Sequence, residues 1–290
     1  MKSKKVWIPV FLAPAVILFL LIYAVPLVVV FVTSLCDYRL SSDGMTFIGF
    51  QNYITLFKDP VFAVSLRNTV IWILLHCILH VALGVFIALL LYKKPRGWKL
   101  VRTAYMVPNI VSSAAIAMIF LNIFNPQMGV LNSFLKMVGL EELTHNWLMD
   151  TKTAFPAVTT TWILFAGYTT TLVLAQALSI DNSVLEAARV DGATSFQLDL
   201  YVMLPLLKRI IGTTIIMAAS YMLQMFDLIY LTTNGGPGKC TTNLPIMLYG
   251  VFKNENNYGY ANTIGVMIIG MGALTMFIIN KALRVNEEDY

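Results

Sequence analysis

Residues 183–205 read SVLEAARVDGATSFQLDLYVMLP, a polar and charged island between long apolar segments. Ser183 stands three residues before Glu186, and Thr194 three before Gln197. At that spacing a hydroxyl caps a helix start while the later side chain bonds back to the cap. The island therefore reads as two short helices, capped at Ser183 and Thr194. Gly192, at the join, can take the positive φ that ends the first helix and turns the chain into the second. Pro205 interrupts the pattern before the next apolar run. Ala187, Ala188 and Val190 offer a small, close-approach surface beside Glu186, Arg189 and Asp191. Two readings fit that surface: docking into a groove of another protein, or an amphipathic connector lying on a membrane.

The flanks decide the solvent. The 290 residues are 58% hydrophobic and 12% charged, with a mean hydropathy of +0.74. That is too apolar for a soluble domain and long enough for several membrane spans. The pattern predicts six, over about 7–33, 68–92, 103–124, 156–178, 210–231 and 258–283. The first is too long for a signal-peptide core and has no small-residue cleavage site, so it is expected to be retained. The third carries Pro108, Asn109, Ser112, Ser113 and Asn122, more polar atoms than a lipid-facing helix tolerates, and is expected to line a cavity. With both termini inside, 13 Lys and Arg fall on that side and seven outside. Lys2, Lys4, Lys5, Arg284 and the cluster from Lys93 to Arg102 all count inward, so the bias puts termini and island in the cytoplasm. No repeat or low-complexity linker is visible, and one membrane domain over 1–290 is expected. The odd cysteine count argues against a disulfide framework; Cys36 and Cys240 are expected outside and Cys77 within a span.

The string Glu186-Ala187-Ala188, followed after two residues by Asp191-Gly192-Ala193 and then by Leu204-Pro205, resembles the EAA loop of binding-protein-dependent ABC importer permeases. Asp199 departs from that pattern, which has an aromatic residue there. FDLIYLTTNGGPG (226–238) and NYGYANT (257–263) resemble the sugar-importing branch, where they mark the first of two permease subunits. FIGFQNY (47–53), Arg102 with Pro108, and NPQMGVLN (125–132) resemble other segments of the same branch, so the likeness extends over nearly the whole chain. It implies that 179–209 is a coupling loop, with Glu186, Ala187, Ala188, Asp191, Gly192, Ala193, Leu204 and Pro205 meeting a cytoplasmic ATPase.

The segment from Thr232 to Thr242 contains Gly238-Lys239, but the first glycine of a phosphate-binding loop would fall at Thr233, and Cys240 stands where Ser or Thr should hold Mg²⁺. A turn-rich external loop is the better reading. His76 and His80 stand one helical turn apart, a spacing that suits either a shared metal or two hydrogen-bonded rings packed against neighbouring helices. No carboxylate shares their helix, and no metal site is assigned. Asp227, near the outer end of the fifth span, either is paired, hydrated or functional, which makes it a candidate substrate-binding residue, or snorkels to the outer surface. A sugar site needs aromatic platforms with hydrogen-bonding groups nearby. Thr161, Phe165 and Tyr168 form one such stripe, and Tyr221 with Met225 another; ordinary helix packing would produce the same stripes. Their positions relative to the island match the sugar pocket of the resembling maltose-type permease.

The sequence thus reads as an all-α, polytopic membrane protein of six transmembrane helices with a cytoplasmic coupling loop, in a prokaryotic plasma membrane. The resemblance implies one permease subunit of an ATP-driven importer of a sugar or oligosaccharide. Its expected partners are a second homologous permease, a cytoplasmic ATPase dimer, an extracytoplasmic sugar-binding protein and membrane lipid, with no nucleic acid and no cofactor. It is not expected to be an enzyme itself. An ion-coupled secondary transporter is the alternative, although one isolated Asp227 makes a poor charge relay.

Overall fold

The computed structural model describes residues 2–40 and 44–283, with side chains from residue 10 onward. Arg284 lies outside the described residues, and Lys2, Lys4 and Lys5 outside the described side chains. The chain is all-α, apart from a pair of two-residue strands, Cys36–Asp37 and Thr46–Phe47. Among the described residues four helices are long and apolar enough to cross a membrane: Val10–Ser34, Pro60–Tyr92, Ala154–Ala177 and Tyr258–Leu283. Two further pairs, each joined at a sharp bend, bring the number to six if each pair is one span.

Both bends lie where the sequence weakens the helical ladder. Trp98–Ile110 meets Ser113–Ile123 at 103°. Pro108 removes one donor from the first helix, and Ser112, with extended backbone, starts the second by accepting from the Ala115 amide at 3.3 Å. Ser195–Leu206 meets Lys208–Leu223 at 69°, with the turn at Leu207, two residues beyond Pro205. The fifth helix also stops at Leu223 rather than running to Leu231. A short helix, Asp227–Thr232, follows the break, and the Met225 carbonyl inside it accepts from Asn243 Nδ2 at 2.6 Å. The second span begins at Pro60, earlier than its apolar run suggests, because Asp59 Oδ1 accepts from the Val61 amide at 2.8 Å and proline suits a first turn. In the first span a π turn over Leu20–Ala24 lies just before Pro26, whose missing N–H breaks the regular ladder there.

Contacts divide the chain into two compact units, Met1–Phe62 with Met247–Gly270, and Ala63–Ile246 with Met271–Tyr290. In the first unit, Asn52 Nδ2 donates to the carbonyls of Ser34 and Cys36 at 3.0 and 2.9 Å, tying the segment 47–53 to the end of the first span. The segment 257–263 reaches that same end. Asn262 Nδ2 donates to Thr33 Oγ1 at 2.7 Å, and Thr263 Oγ1 to the Ser34 carbonyl at 3.1 Å. Tyr260 adds a bond to Asp59 Oδ2 at 3.0 Å. Buried polar groups need such partners.

In the second unit, Gly167–Ala177 packs along Val81–Tyr92. Gly84 makes this close approach possible, since a Cβ there would come within 2.6 Å of the Thr169 methyl. Thr170 Oγ1 donates across the contact to the Gly84 carbonyl at 3.2 Å. The core of this unit runs through Val85, Ala88, Leu91, Val173 and Leu174.

Candidate functional site

The island folds as two short helices. Asn182–Val190 begins at Asp181, whose carboxylate accepts from the Ser183 amide at 2.9 Å, so the cap is Asp181 and not Ser183. Asp is at least as good a cap as Ser, and it stands nearer the true start. The bonds from the Ser183 amide and hydroxyl hold the Asp181 carboxyl below its ordinary pKa. The second expected cap is present in full: Gln197 N–H donates to Thr194 Oγ1 at 3.3 Å, and Thr194 N–H to Gln197 Oε1 at 2.8 Å. Between them Gly192 takes φ +87°. The Ala193 amide reaches back to the Ala188 carbonyl and the Gly192 amide to the Arg189 carbonyl, both at 3.0 Å, which closes a Schellman turn.

This helix pair is anchored inwardly and open outwardly. Leu185 and Leu198 are buried in the same core as Val85, Ala88, Leu91 and Val173 of the spans. Glu186, Ala187, Asp191, Gly192 and Pro205 are exposed, while Ala188, Ala193 and Leu204 are half-buried. Beside them the most exposed large apolar side chains are Val190 at 87% exposure, Phe196 at 73% and Tyr201 at 70%. Phe196 and Tyr201 carry no signal in the sequence, where an aromatic residue in a polar stretch is equally a core anchor. Asp199, the departure from the family pattern, pairs with Lys93 Nζ, which also donates to Ser195 Oγ at 3.0 Å.

The second feature is a cavity of about 460 Å³ within the same unit. That volume suits a small-molecule site. Thr161, Phe165, Tyr168 and Tyr221 line it, as does the polar part of the third span through Pro108, Asn109 and Ser113. The stripe from Thr161 to Tyr168 crosses a lapse in the helix at Leu164–Ala166, yet all three residues reach the same wall. Tyr168 is half exposed and its hydroxyl lies 3.7 Å from Met217 Sδ. Thr161 Oγ1 is committed to the Val158 carbonyl at 2.7 Å. Met225 and Asp227 are not on the wall: the break after Leu223 buries Met225 and leaves Asp227 exposed at the start of the next helix.

His76 and His80 line the cavity as well, on a π turn of the second span. Their rings stack at 3.9 Å and 30°, and His76 stacks in turn on Trp162 at 4.9 Å and 23°. Cys77 points its thiol at the Ile215 carbonyl, 3.7 Å away. Among the described residues no group of three or more His, Cys, Asp or Glu could hold a metal ion. Trp162 carries no sequence signal of its own, because an apolar indole in a span is ordinary packing.

The external-loop candidate from Thr232 to Thr242 is turn-rich, with positive φ at Asn234, Gly235, Gly238 and Lys239. Asn68 Nδ2 clamps it by donating to the Cys240 and Thr242 carbonyls at 2.8 and 2.9 Å. Cys36, Cys77 and Cys240 are all free thiols.

Comparison with known proteins supplies the family. Residues 80–283 match the model described as "Binding-protein-dependent transport system inner membrane component". The chain is 33% identical to the probable ABC transporter permease protein YurN of Bacillus subtilis, covering 96% of each chain. It is 32% identical to the lactose transport system permease protein LacF of Rhizobium radiobacter, covering 94% of this chain and 93% of that one. A chain of a bacterial ABC transporter involved in import of the acidic polysaccharide alginate shares the fold at a TM-score of 0.84 and 22% identity, covering 97% of this chain and 96% of the other. With the helix pair of the island, the bent spans and these matches together, the chain belongs to the family of inner-membrane components of binding-protein-dependent transport systems.

Proposed function

We propose that this chain is a permease subunit of an ATP-driven importer of a sugar or short oligosaccharide, acting as one transmembrane domain with both termini in the cytoplasm. It works beside a second, homologous permease, two cytoplasmic ATPase subunits and an extracytoplasmic binding protein that delivers the cargo. The observation that carries the reading is the island itself. Its outer face is left uncovered at Val190, Phe196 and Tyr201, while Leu185 and Leu198 root it in the core of the second and fourth spans. A force applied to that face is therefore transmitted to the spans without a flexible joint between them. ATP binding closes the ATPase dimer, moves the island as a rigid body and turns the cavity outward; hydrolysis reverses the change. The chain itself makes and breaks no covalent bond.

Sugar is the cargo that the cavity suits. Aromatic faces at Phe165, Tyr168, Tyr221 and Trp162 stand beside hydroxyl and amide groups, as a ring with one apolar face and many hydroxyls requires. The relative LacF carries lactose in its name. In vesicles holding the assembled complex, cargo-loaded binding protein raises ATP hydrolysis and drives sugar uptake, whereas the isolated chain does neither. Uptake by the isolated chain at the expense of an ion gradient would establish the secondary-transporter alternative instead.

A further inference from the structure

We propose that the stacked imidazoles of His76 and His80 are a cargo-binding element of the membrane cavity, holding a neutral, hydroxyl-rich solute by hydrogen bonds. The inference rests on the importer reading above and adds two residues and the charge of the cargo, which that reading leaves open.

The geometry is unusual for mere packing. A π turn places His76 and His80 on the cavity wall, and π turns inside α-helices concentrate at functional sites. The two rings form a ladder that continues through Trp162, with Tyr221 tilted against His76 at 5.6 Å. Hydrogen-bond accounting then separates the two histidines. His80 Nδ1 lies 3.2 Å from the Ile163 carbonyl, which can only accept, so Nδ1 carries a proton and is committed to the backbone. His76 Nδ1 is buried with no partner at all, although only 4% of the residue is exposed. Buried polar atoms in native proteins are nearly always satisfied, and an orphan on a cavity wall points to a group that arrives with the cargo. Phenylalanine would fill the same space without that orphan nitrogen.

A shared metal does not fit the same rings. Stacked imidazoles hold their in-plane lone pairs in two nearly parallel planes rather than converging on one point, and the neighbouring Cys77 thiol is turned to the Ile215 carbonyl. The cargo's charge follows from the wall, since no Asp, Glu, Lys or Arg among the described residues lines the cavity. An ionised sugar entering it would lose hydration and gain no counter-charge.

The test uses the assembled transporter in vesicles and radiolabelled maltose, lactose, sucrose and trehalose, with digalacturonate as the acidic probe. The wild type is expected to import at least one of the four neutral disaccharides and to exclude digalacturonate. His76→Phe and His80→Phe, which keep a flat ring, are expected to lower that uptake tenfold or more. His76→Asn, which returns a polar atom near the Nδ1 position, should recover part of the loss and shift the rate ratio among the disaccharides at least threefold. That ratio decides the matter even where a Phe variant does not assemble, because a packing defect slows all sugars alike. Unchanged uptake in the Phe variants, or unchanged ratios in His76→Asn, overturns the assignment of the histidines. Preferred import of digalacturonate overturns the neutral cargo class. A wild type without uptake of any probe and without stimulated hydrolysis sinks the importer reading itself.

Discussion

Gly192 has the left-handed backbone at φ +87°, yet nothing lies within 4 Å of where its Cβ would stand. Any defect from a side chain there must come from the backbone alone. A β-branched residue resists that region at a cost of about 1–2 kcal/mol, whereas asparagine tolerates it. Gly192→Val is therefore expected to insert normally but to tilt one short helix, weakening ATPase retention on the purified permease or uncoupling hydrolysis from uptake. Gly192→Asn should stay near wild type, and normal coupling in the Val variant would make the island a passive connector. The cap at Asp181 changes what Glu186 can be asked to do. Had Ser183 been the cap, Glu186→Gln would have kept the capping bond and been milder than Glu186→Ala. With the cap elsewhere, only the exposed charge is left, and both variants should lose ATPase retention to a similar extent. On the cavity wall, Tyr168→Ala removes an aromatic platform and is expected to weaken sugar binding by about 1 kcal/mol, roughly fivefold. Unchanged uptake, sugar dependence and selectivity in an assembled complex would leave Tyr168 a packing residue.

The second helix of the island is held by a contact between elements far apart in sequence. Lys93 follows the second span, and its ammonium meets Asp199 and Ser195. The aspartate's other oxygen, Oδ1, is buried without a partner, and its side chain is 18% exposed against 38% for the lysine. A half-buried pair of this kind matters chiefly when one member is removed. Lys93→Met should therefore destabilise by about 1–3 kcal/mol, read as a lower melting temperature of the purified permease. Lys93→Met combined with Asp199→Leu should recover part of that loss, because no lone carboxylate is then buried. A single variant as stable as wild type would show that the pair adds nothing. The helices themselves differ in how far their limits can be read. The box from Thr194 to Gln197 is a bond between near neighbours and was legible as spacing. The breaks at Ser112 and after Leu223 fall beside polar residues, Asn109, Ser112 and Ser113 at the first and Gln224 and Asp227 at the second, but a polar residue in a span does not by itself announce a bend. Pro108 and Ser112 were visible as polar punctuation, but the 103° angle depends on what each half packs against.

Orientation belongs to the whole chain and is tested by chemical labelling. In a background lacking Cys36, Cys77 and Cys240, a cysteine at Ser183 should be shielded from an impermeant thiol reagent in intact cells, and one at Lys239 labelled. The reverse pattern would invert the topology. The all-α class, the apolar spans, the island and its likeness to importer permeases follow from sequence alone, because hydropathy, capping boxes and motif spacing are local properties of a chain. So does the polar character of the third span. Membership of the cavity is of another kind. His76 and His80 come from the second span, Trp162 from the fourth and Tyr221 from the fifth, and only the packing of those helices makes them neighbours. The same packing keeps Tyr221 on the wall and takes Met225 and Asp227 off it, through a helix break that no periodicity announces. It also sets Lys93 against Asp199, a pairing of opposite charges that the sequence held as one of many. Spacing encodes what a few turns of helix can bond to; which distant side chains meet is decided by how the helices bury one another's faces.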